Sequence, residues 1–263
     1  PPATRSSARS ATATATSSLS GAPLRPLSLE ISFTRYRIYR ECPWKYKLLF
    51  IDGRKIAMTP KSSFGLSLHR ALETWLRGGD LSLEALLSAL RSRWLASGYP
   101  DEDTEARWFA KGERALTRFY GEEESRRART VSVEKEFIWT SGAHQVRGMI
   151  DRIDQGPDGA YESSDYKTGP GAPTEAQVAK DIQMRFYALG AKRGLSLAPA
   201  TLTVDCVTVG ERVSAPYDGA GEDALDADIR AAASGIEAAA FAPDTAYCPR
   251  CDLKADCTYS TVK

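Results

Sequence analysis

Long apolar segments are absent from this sequence of 263 residues, although 42% of its residues are hydrophobic. A helix that crosses a membrane needs about 20 consecutive apolar residues, and no run approaches that length, so we expect a soluble protein. A large excess of one charge is also absent, because the formal net charge is +1. The length and the hydrophobic content are sufficient for one well-buried core.

The charges that are present are unevenly distributed along the chain. Residues 31–70 contain nine Lys or Arg and two acids, whereas residues 211–245 contain eight acids and two Arg. A surface formed by the first region would be basic enough to approach a phosphate backbone. The near-zero total therefore does not exclude a nucleic-acid partner.

The first 26 residues lack acids, and their only large apolar residues are two Leu. Such a Ser/Thr/Ala-rich segment cannot bury enough surface to offset the entropy of ordering it, so residues 1–27 are predicted to be a disordered tail. The Arg and Ser content also fits an organellar transit peptide, but a flexible leader or an interdomain linker explains the same composition. Residues 28–263 would then form one domain.

The periodicity of apolar residues predicts helices first and strands later. The predicted helices are 33–48, interrupted at Cys42-Pro43, then 63–77, 82–96, 102–120, 174–192 and 221–241. The predicted strands are 131–139, 146–153, 161–167 and 201–209. Helices, three successive strands, and then helix, strand and helix indicate an α/β fold with a mixed central β-sheet flanked by helices.

The second and third predicted strands form a hairpin around the break at residues 156–159. If Gln155 pairs with Tyr161 across this turn, Asp151 falls opposite Asp165, whereas a slip of one residue would send the two carboxylates to opposite faces. Side chains alternate along a strand, so Lys167 projects from the same face as Asp165. The favourable register places two acids and an amine together.

Two carboxylates that lie close together repel each other unless a cation lies between them. Mg²⁺ and Mn²⁺ prefer oxygen ligands and lower the pKa of a bound water, which can then attack phosphorus. A neighbouring Lys167 would orient that water or neutralise charge that develops on the phosphate. The pattern therefore fits metal-assisted phosphodiester hydrolysis, and the alternative is an ordinary exposed hairpin with solvated charges.

The C-terminal segment carries three closely spaced cysteines, Cys248, Cys251 and Cys257. This spacing is typical of metal ligands, and a fourth thiolate would come from Cys42 or Cys206. Cys206 lies mid-strand, where a small buried hydrophobe is the commoner role, so we predict Cys42, which would join the two ends of the domain. The odd number of cysteines and the lack of a secretory signal argue against disulfides and for a reducing, cytoplasmic location. Zinc and a [4Fe-4S] cluster both fit the spacing.

Taken in order, these motifs resemble the PD-(D/E)XK nuclease superfamily, specifically the RecB-like branch that carries an iron-sulfur cluster. The resemblance covers residues 29–259. It rests on Ile-Ser-Phe-Thr at 31–34 with Cys42-Pro43, Gly65-x-x-x-His69, Val133-Glu134 through Phe137, Gly148-Met-Ile-Asp151-Arg-Ile-Asp, Asp165-Tyr-Lys167-Thr-Gly, Gln183-x-x-x-Tyr187 and the cysteine triplet.

The resemblance implies three sets of functional residues. The implied metal ligands are His69, Asp151, Asp165 and the backbone carbonyl of Tyr166, with Mg²⁺ or Mn²⁺ as the ion. The implied catalytic residues are Asp151, Asp165, Lys167, Gln183 and Tyr187. The implied cluster ligands are Cys42, Cys248, Cys251 and Cys257, which would hold [4Fe-4S] rather than zinc. The other histidine, His144, has no partner spacing and is predicted to lie at the surface.

The expected function is a metal-dependent DNA nuclease, an exonuclease that prefers single strands in repair or recombination, with a helicase or recombination protein as a possible partner. Aromatic and basic residues of the first helices would contact DNA or cover the cluster: Tyr36, Arg37, Arg40, Trp44 and Lys45. The alternatives are a spacer-processing nuclease of CRISPR adaptation and a catalytically silent DNA-binding subunit of a helicase-nuclease complex.

Overall fold

The structure of the protein is a computed structural model that describes residues 29–126 and 128–262. Helices α1 to α8 span Phe33–Glu41, Pro43–Tyr46, Pro60–Arg77, Leu83–Arg93, Glu102–Glu124, Glu175–Lys180, Ile182–Leu195 and Glu222–Glu237. Strands β1 to β6 span Glu30–Ser32, Arg129–Ser141, His144–Gln155, Tyr161–Lys167, Pro199–Cys206 and Glu211–Pro216. A π-helical turn covers Lys47–Ile51, and a 3-10 helix covers Thr245–Arg250. The predicted tail at residues 1–27 lies outside the described ranges.

The six strands form one mixed sheet. Strand β3 pairs antiparallel with β2 along most of its length, parallel with β1 at its start and antiparallel with β4 at its end. Strand β5 then pairs parallel with β4 and antiparallel with β6. The predicted α/β fold with a mixed sheet flanked by helices is confirmed.

The hairpin register is the one that brings the acids together. Gln155 lies opposite Tyr161, and the ladder continues to Arg152 opposite Ser164. Asp151 and Asp165 are the next positions on the two strands. Adjacent residues of β4 face opposite sides, as a strand requires: Tyr166 packs among buried residues of α3, α4 and α5, whereas Asp165 contacts Gln183 of α7.

Helix α7 approaches the sheet closely because two glycines face one aromatic ring. Phe137 of β2 is 1% exposed. A β-carbon built at Gly148 of β3 would lie 2.3 Å from its ring, and one built at Gly190 of α7 would lie 2.5 Å from it. Real β-carbons do not come this near, so only glycine fits on either side of Phe137.

The end of α5 covers a group of buried charges centred on Arg152. Arg152 Nε lies 2.8 Å from Asp154 Oδ1, and Arg152 Nη2 lies 2.5 Å from Glu123 Oε1. Arg126 Nη2 reaches the other oxygen of Asp154 at 2.9 Å. Burial opposes the ionisation of Asp154 and Glu123, but the arginines outweigh it and hold the pKa of both carboxyls below the usual value.

The structure departs from the sequence predictions at several elements. The predicted helix 174–192 is two helices, because Asp181 adopts an extended backbone and caps α7 by accepting hydrogen bonds from the amides of Gln183 and Met184. The short strands β1 and β6 were not predicted. The prediction that His144 lies at the surface is wrong, since it is 5% exposed and contacts Ser234 Oγ.

No helix in the described ranges is long and apolar enough to cross a membrane.

Candidate active site

The imidazole of His69 lies between two hydrogen-bond acceptors. Helix α3 begins after Thr59, whose side chain caps it, and carries His69 to the end of the hairpin. His69 Nδ1 lies 3.3 Å from Asp151 Oδ2, and His69 Nε2 lies 2.8 Å from the carbonyl oxygen of Tyr166. A neutral imidazole has one proton for these two contacts. The ring nitrogen without that proton faces an oxygen atom that is also an acceptor, so this contact requires a second proton or a metal cation.

Asp151 is held in place by a hydrogen bond from the backbone of β4, and it lies near a second acid, Glu134. Asp151 Oδ2 accepts a hydrogen bond from the Tyr166 amide at 2.9 Å. His69, Glu134 and Asp151 each offer one ligand atom, and the three atoms lie within 4.8 Å of one another. Burial, together with the charges of Asp151 and Glu73, raises the pKa of Glu134 to about 7. One imidazole and two carboxylates whose ligand atoms lie this close together fit a divalent cation.

Asp165, Lys167 and Gln183 form a closed set of polar contacts beside this group of three. Gln183 Nε2 donates to Asp165 Oδ1 at 2.9 Å, and Lys167 Nζ donates to Gln183 Oε1 at 2.8 Å. Lys167 Nζ also lies 2.6 Å from Asp165 Oδ2. Burial and the neighbouring charge of Asp151 raise the pKa of Asp165 to about 6, against the opposing effect of Lys167. The side chain of Lys167 is 40% exposed, so a phosphate can reach its amine.

The remaining contacts come from one face of α7. Gln183 and Tyr187 are four residues apart and therefore neighbours on the helix. Gln183 Nε2 donates to the hydroxyl oxygen of Tyr187 at 3.1 Å. Burial and the charge of Asp165 raise the pKa of Tyr187, so its hydroxyl stays protonated. Tyr187 thus holds the amide that orients both Asp165 and Lys167.

The structure brings together the catalytic residues that the sequence predicted, and it adds Glu134. Asp165 lies outside the group of three metal-ligand candidates, whereas Glu134 belongs to it. Glu134 has φ of 45°, a left-handed conformation that is uncommon for a residue with a side chain. In the sequence, Glu134 is marked only by its place in the Val133-Glu134 motif. That motif does not indicate a left-handed conformation.

The proposed DNA-contacting residues of α1 and α2 occupy two kinds of position. Tyr36 is buried and donates to Asp228 Oδ2 at 2.6 Å, and Lys45 is buried between Glu41 and Asp252. Trp44 packs edge-on against Tyr259. Arg37 and Arg40 are exposed on α1, with Glu41 and Asp228 as their respective partners. The burial of Tyr36 and Lys45 favours the alternative that this region covers the cysteines.

Four of the five cysteines line one small cavity between α2 and the C-terminal segment: Cys42, Cys248, Cys251 and Cys257. The amide of Asp244 lies 3.4 Å from Cys42 Sγ, which brings the two ends of the domain together. Cys206 lies apart in β5. The structure thus places in one cavity the four cysteines that the sequence predicted as ligands of a zinc ion or a cluster.

Three comparisons with known proteins bear on the family of this chain. The model of the PD-(D/E)XK nuclease superfamily matches residues 30–258. A search of curated proteins found no match. The solved structure titled "Crystal structure of SSO0001" is 14% identical, the match covers 87% of this chain and 97% of that chain, and the TM-score is 0.36. Because the family match spans most of the sequence, the chain belongs to the PD-(D/E)XK nuclease superfamily, which supports its assignment as a metal-dependent nuclease.

Proposed function

We propose that the protein is a metal-dependent DNA exonuclease that prefers single strands and acts in repair or recombination. The observation that carries the proposal is the arrangement of His69, Glu134 and Asp151 within ligand distance, beside the contacts that join Asp165, Lys167 and Gln183. Preference for a single strand, action from an end and a helicase partner follow from the resemblance to the RecB-like branch.

Each residue has a definite task in this proposal. His69, Asp151, Glu134, Asp165 and the Tyr166 carbonyl are the groups available to hold Mg²⁺ or Mn²⁺, which would supply Lewis acidity and a bound water of lowered pKa. Lys167 neutralises the charge that develops on the phosphate oxygens. Gln183 fixes the direction of the Lys167 amine, and Tyr187 fixes Gln183.

Cleavage of end-labelled single-stranded DNA with Mn²⁺ tests the proposal. The wild-type protein and an Asp103→Ala control, changed on the exposed first turn of α5, should cleave the DNA, whereas Asp165→Ala should not. A circular single strand should resist cleavage if the enzyme acts from an end. If the wild type cleaves the DNA no faster than Asp165→Ala, the protein is instead a DNA-binding subunit that does not catalyse cleavage.

The metal preference tests the role of His69. An imidazole ligand favours Mn²⁺ over Mg²⁺ relative to an all-oxygen site, so wild-type cleavage should be faster with Mn²⁺. His69→Ala should lower the Mn²⁺ rate more than the Mg²⁺ rate. An unchanged Mn²⁺-to-Mg²⁺ rate ratio in His69→Ala would remove His69 from the ligand set.

The cysteine cavity is proposed to hold a [4Fe-4S] cluster, with Cys42, Cys248, Cys251 and Cys257 as ligands. The shared cavity supports a common site for the four thiols, and the resemblance to the iron-sulfur branch favours a cluster over a single zinc ion. We expect anaerobically purified protein to contain about four iron and four sulfide per chain, and Cys42→Ser to lose most of both. Cys206→Ser is the matched control and should keep them. Stoichiometric zinc without iron would contradict the cluster.

A further inference from the structure

A second cavity of about 550 Å³ lies along α3, next to the candidate active site, and three arginines line it: Arg70, Arg77 and Arg93. Arg70, Thr74 and Arg77 are four and three residues apart, so they share one side of α3. Arg93, at the end of α4, donates from Nε to Thr74 Oγ1 at 2.9 Å. The cavity therefore lies where the two helices meet.

The charge of this cavity is positive. Among the described residues that line it, Glu73 is the one acid, and it pairs with Arg77 Nη1 at 2.7 Å. Arg70 pairs with no acid in the part of the chain that the structure describes, and the same holds for Arg93, whose partner is Thr74. Two guanidinium groups are thus free to bind an anion.

Two residues that line the cavity are neighbours of the metal-ligand group, one in the sequence and one through hydrogen bonds. Arg70 directly follows His69, and Arg77 Nη2 donates to the carbonyl oxygens of Val133 at 2.9 Å and Glu134 at 3.3 Å. The charge of Glu73 helps to raise the pKa of Glu134, while Arg77 opposes that effect. An anion in the cavity would therefore lie beside the phosphodiester that the active site cleaves.

The lining suits phosphates better than bases. The planar fork of a guanidinium matches two phosphate oxygens. Trp94, the aromatic residue in the described part of the lining, already stacks on Tyr99 with ring centroids 5.7 Å apart, and its indole nitrogen donates to Glu105. Its ring is therefore engaged within the protein and does not offer a stacking surface to a nucleobase.

We propose that this cavity binds the backbone phosphates next to the scissile one on the nucleic-acid strand, with Arg70 and Arg93 as the contacting residues. The inference rests on the proposed nuclease function and adds a binding site to it. Because phosphates carry no sequence information, recognition through this cavity is independent of sequence. Longer substrates then bind better than substrates with a single phosphodiester.

The test compares the double variant Arg70→Gln/Arg93→Gln with Arg91→Gln in the chain of 263 residues. Arg91 is an exposed arginine on the same helix as Arg93, paired with Glu113 at 3.6 Å, and it does not line the cavity. The substrates are a single-stranded 12-nucleotide DNA and bis(p-nitrophenyl) phosphate, which has one phosphodiester. The double variant should lose at least about tenfold more kcat/KM on the DNA than on the small substrate, as expected for two lost phosphate contacts.

Binding of the labelled 12-nucleotide DNA in EDTA, followed by fluorescence anisotropy, provides a second readout without cleavage. Loss of two phosphate contacts should reduce the slope of log affinity against log salt by about 1.4, since each contact on a single strand contributes about 0.7. Equal slopes and affinities for the double variant and Arg91→Gln would overturn the phosphate site. If the wild type cleaves neither substrate, the proposed nuclease function fails, and the EDTA measurement still decides whether the cavity binds phosphates.

Discussion

Replacing Lys167 by Met is expected to slow phosphodiester cleavage about 10²–10³-fold, the usual effect of removing one group that stabilises charge in a transition state. The amine lies 2.6 Å from Asp165 Oδ2 and 2.8 Å from Gln183 Oε1, so its position is set before a substrate arrives. The measurement is kcat for single-stranded DNA with saturating Mn²⁺. The affinity for that DNA should change little, because the loss concerns the chemical step.

Lys180→Met is the matched control for this variant. Lys180 ends α6, is exposed, and lies two residues before α7 begins. The control should retain the wild-type rate, and both variants should unfold at the wild-type temperature, because neither side chain is buried. A rate for Lys167→Met within threefold of the control would remove Lys167 from the chemistry, and catalysis would then rest on the metal ligands alone.

Replacing Arg152 by Met is expected to lower the free energy of unfolding by about 3–5 kcal/mol, the usual cost of removing one partner from a buried ion pair. Arg152 is 1% exposed, and its loss leaves Arg126 as the cation that Glu123 and Asp154 contact among the described residues. Domains of this kind are stable by about 5–15 kcal/mol, so the effect is a large share of the total. Urea unfolding of the two proteins gives the difference.

The pH dependence of unfolding distinguishes the lost ion pair from simple packing effects. The arginines hold the pKa of Asp154 and Glu123 low, so their contribution to stability is present above the unfolded carboxyl pKa and disappears as pH falls through the folded value. Arg152→Met should therefore lose less stability on acidification than the wild type. Arg129→Met, at an exposed arginine of β2, should stay within about 0.5 kcal/mol of the wild type. An Arg152→Met protein as stable as Arg129→Met would contradict the role of the buried charges.

The part of the site that could be predicted from the sequence depends on local rules. Alternation along β4 predicts that Asp165 and Lys167 share a face. The sequence left two hairpin registers open, and the structure has the one that pairs Gln155 with Tyr161. The spacing of Gln183 and Tyr187 on a helix is equally local. These residues meet because short-range geometry already places them on one face.

The features that the sequence did not reveal depend on distant contacts or on unusual backbone. Nothing local indicates that Glu134 takes a left-handed conformation opposite Asp151, or that Asp181 breaks the predicted helix 174–192. Lys45 resembles a surface lysine in sequence, but the C-terminal segment folds over it and supplies Asp252. Strand β6 was missed for a different reason: it is short and begins with Glu-Arg, although it pairs with its sequence neighbour β5.

The ring of Phe137 between Gly148 and Gly190 sets the height of α7 above the sheet. Gly190 lies three residues beyond Tyr187 and seven beyond Gln183, so a methyl group added there would lift the segment that carries both side chains. A shift of about 1 Å is enough to cost a reaction 10²-fold when it misplaces a catalytic group. Gly148 and Gly190 therefore tolerate no larger residue, although neither carries a side chain. Natural variants with even an alanine at either position would be inactive for purely steric reasons.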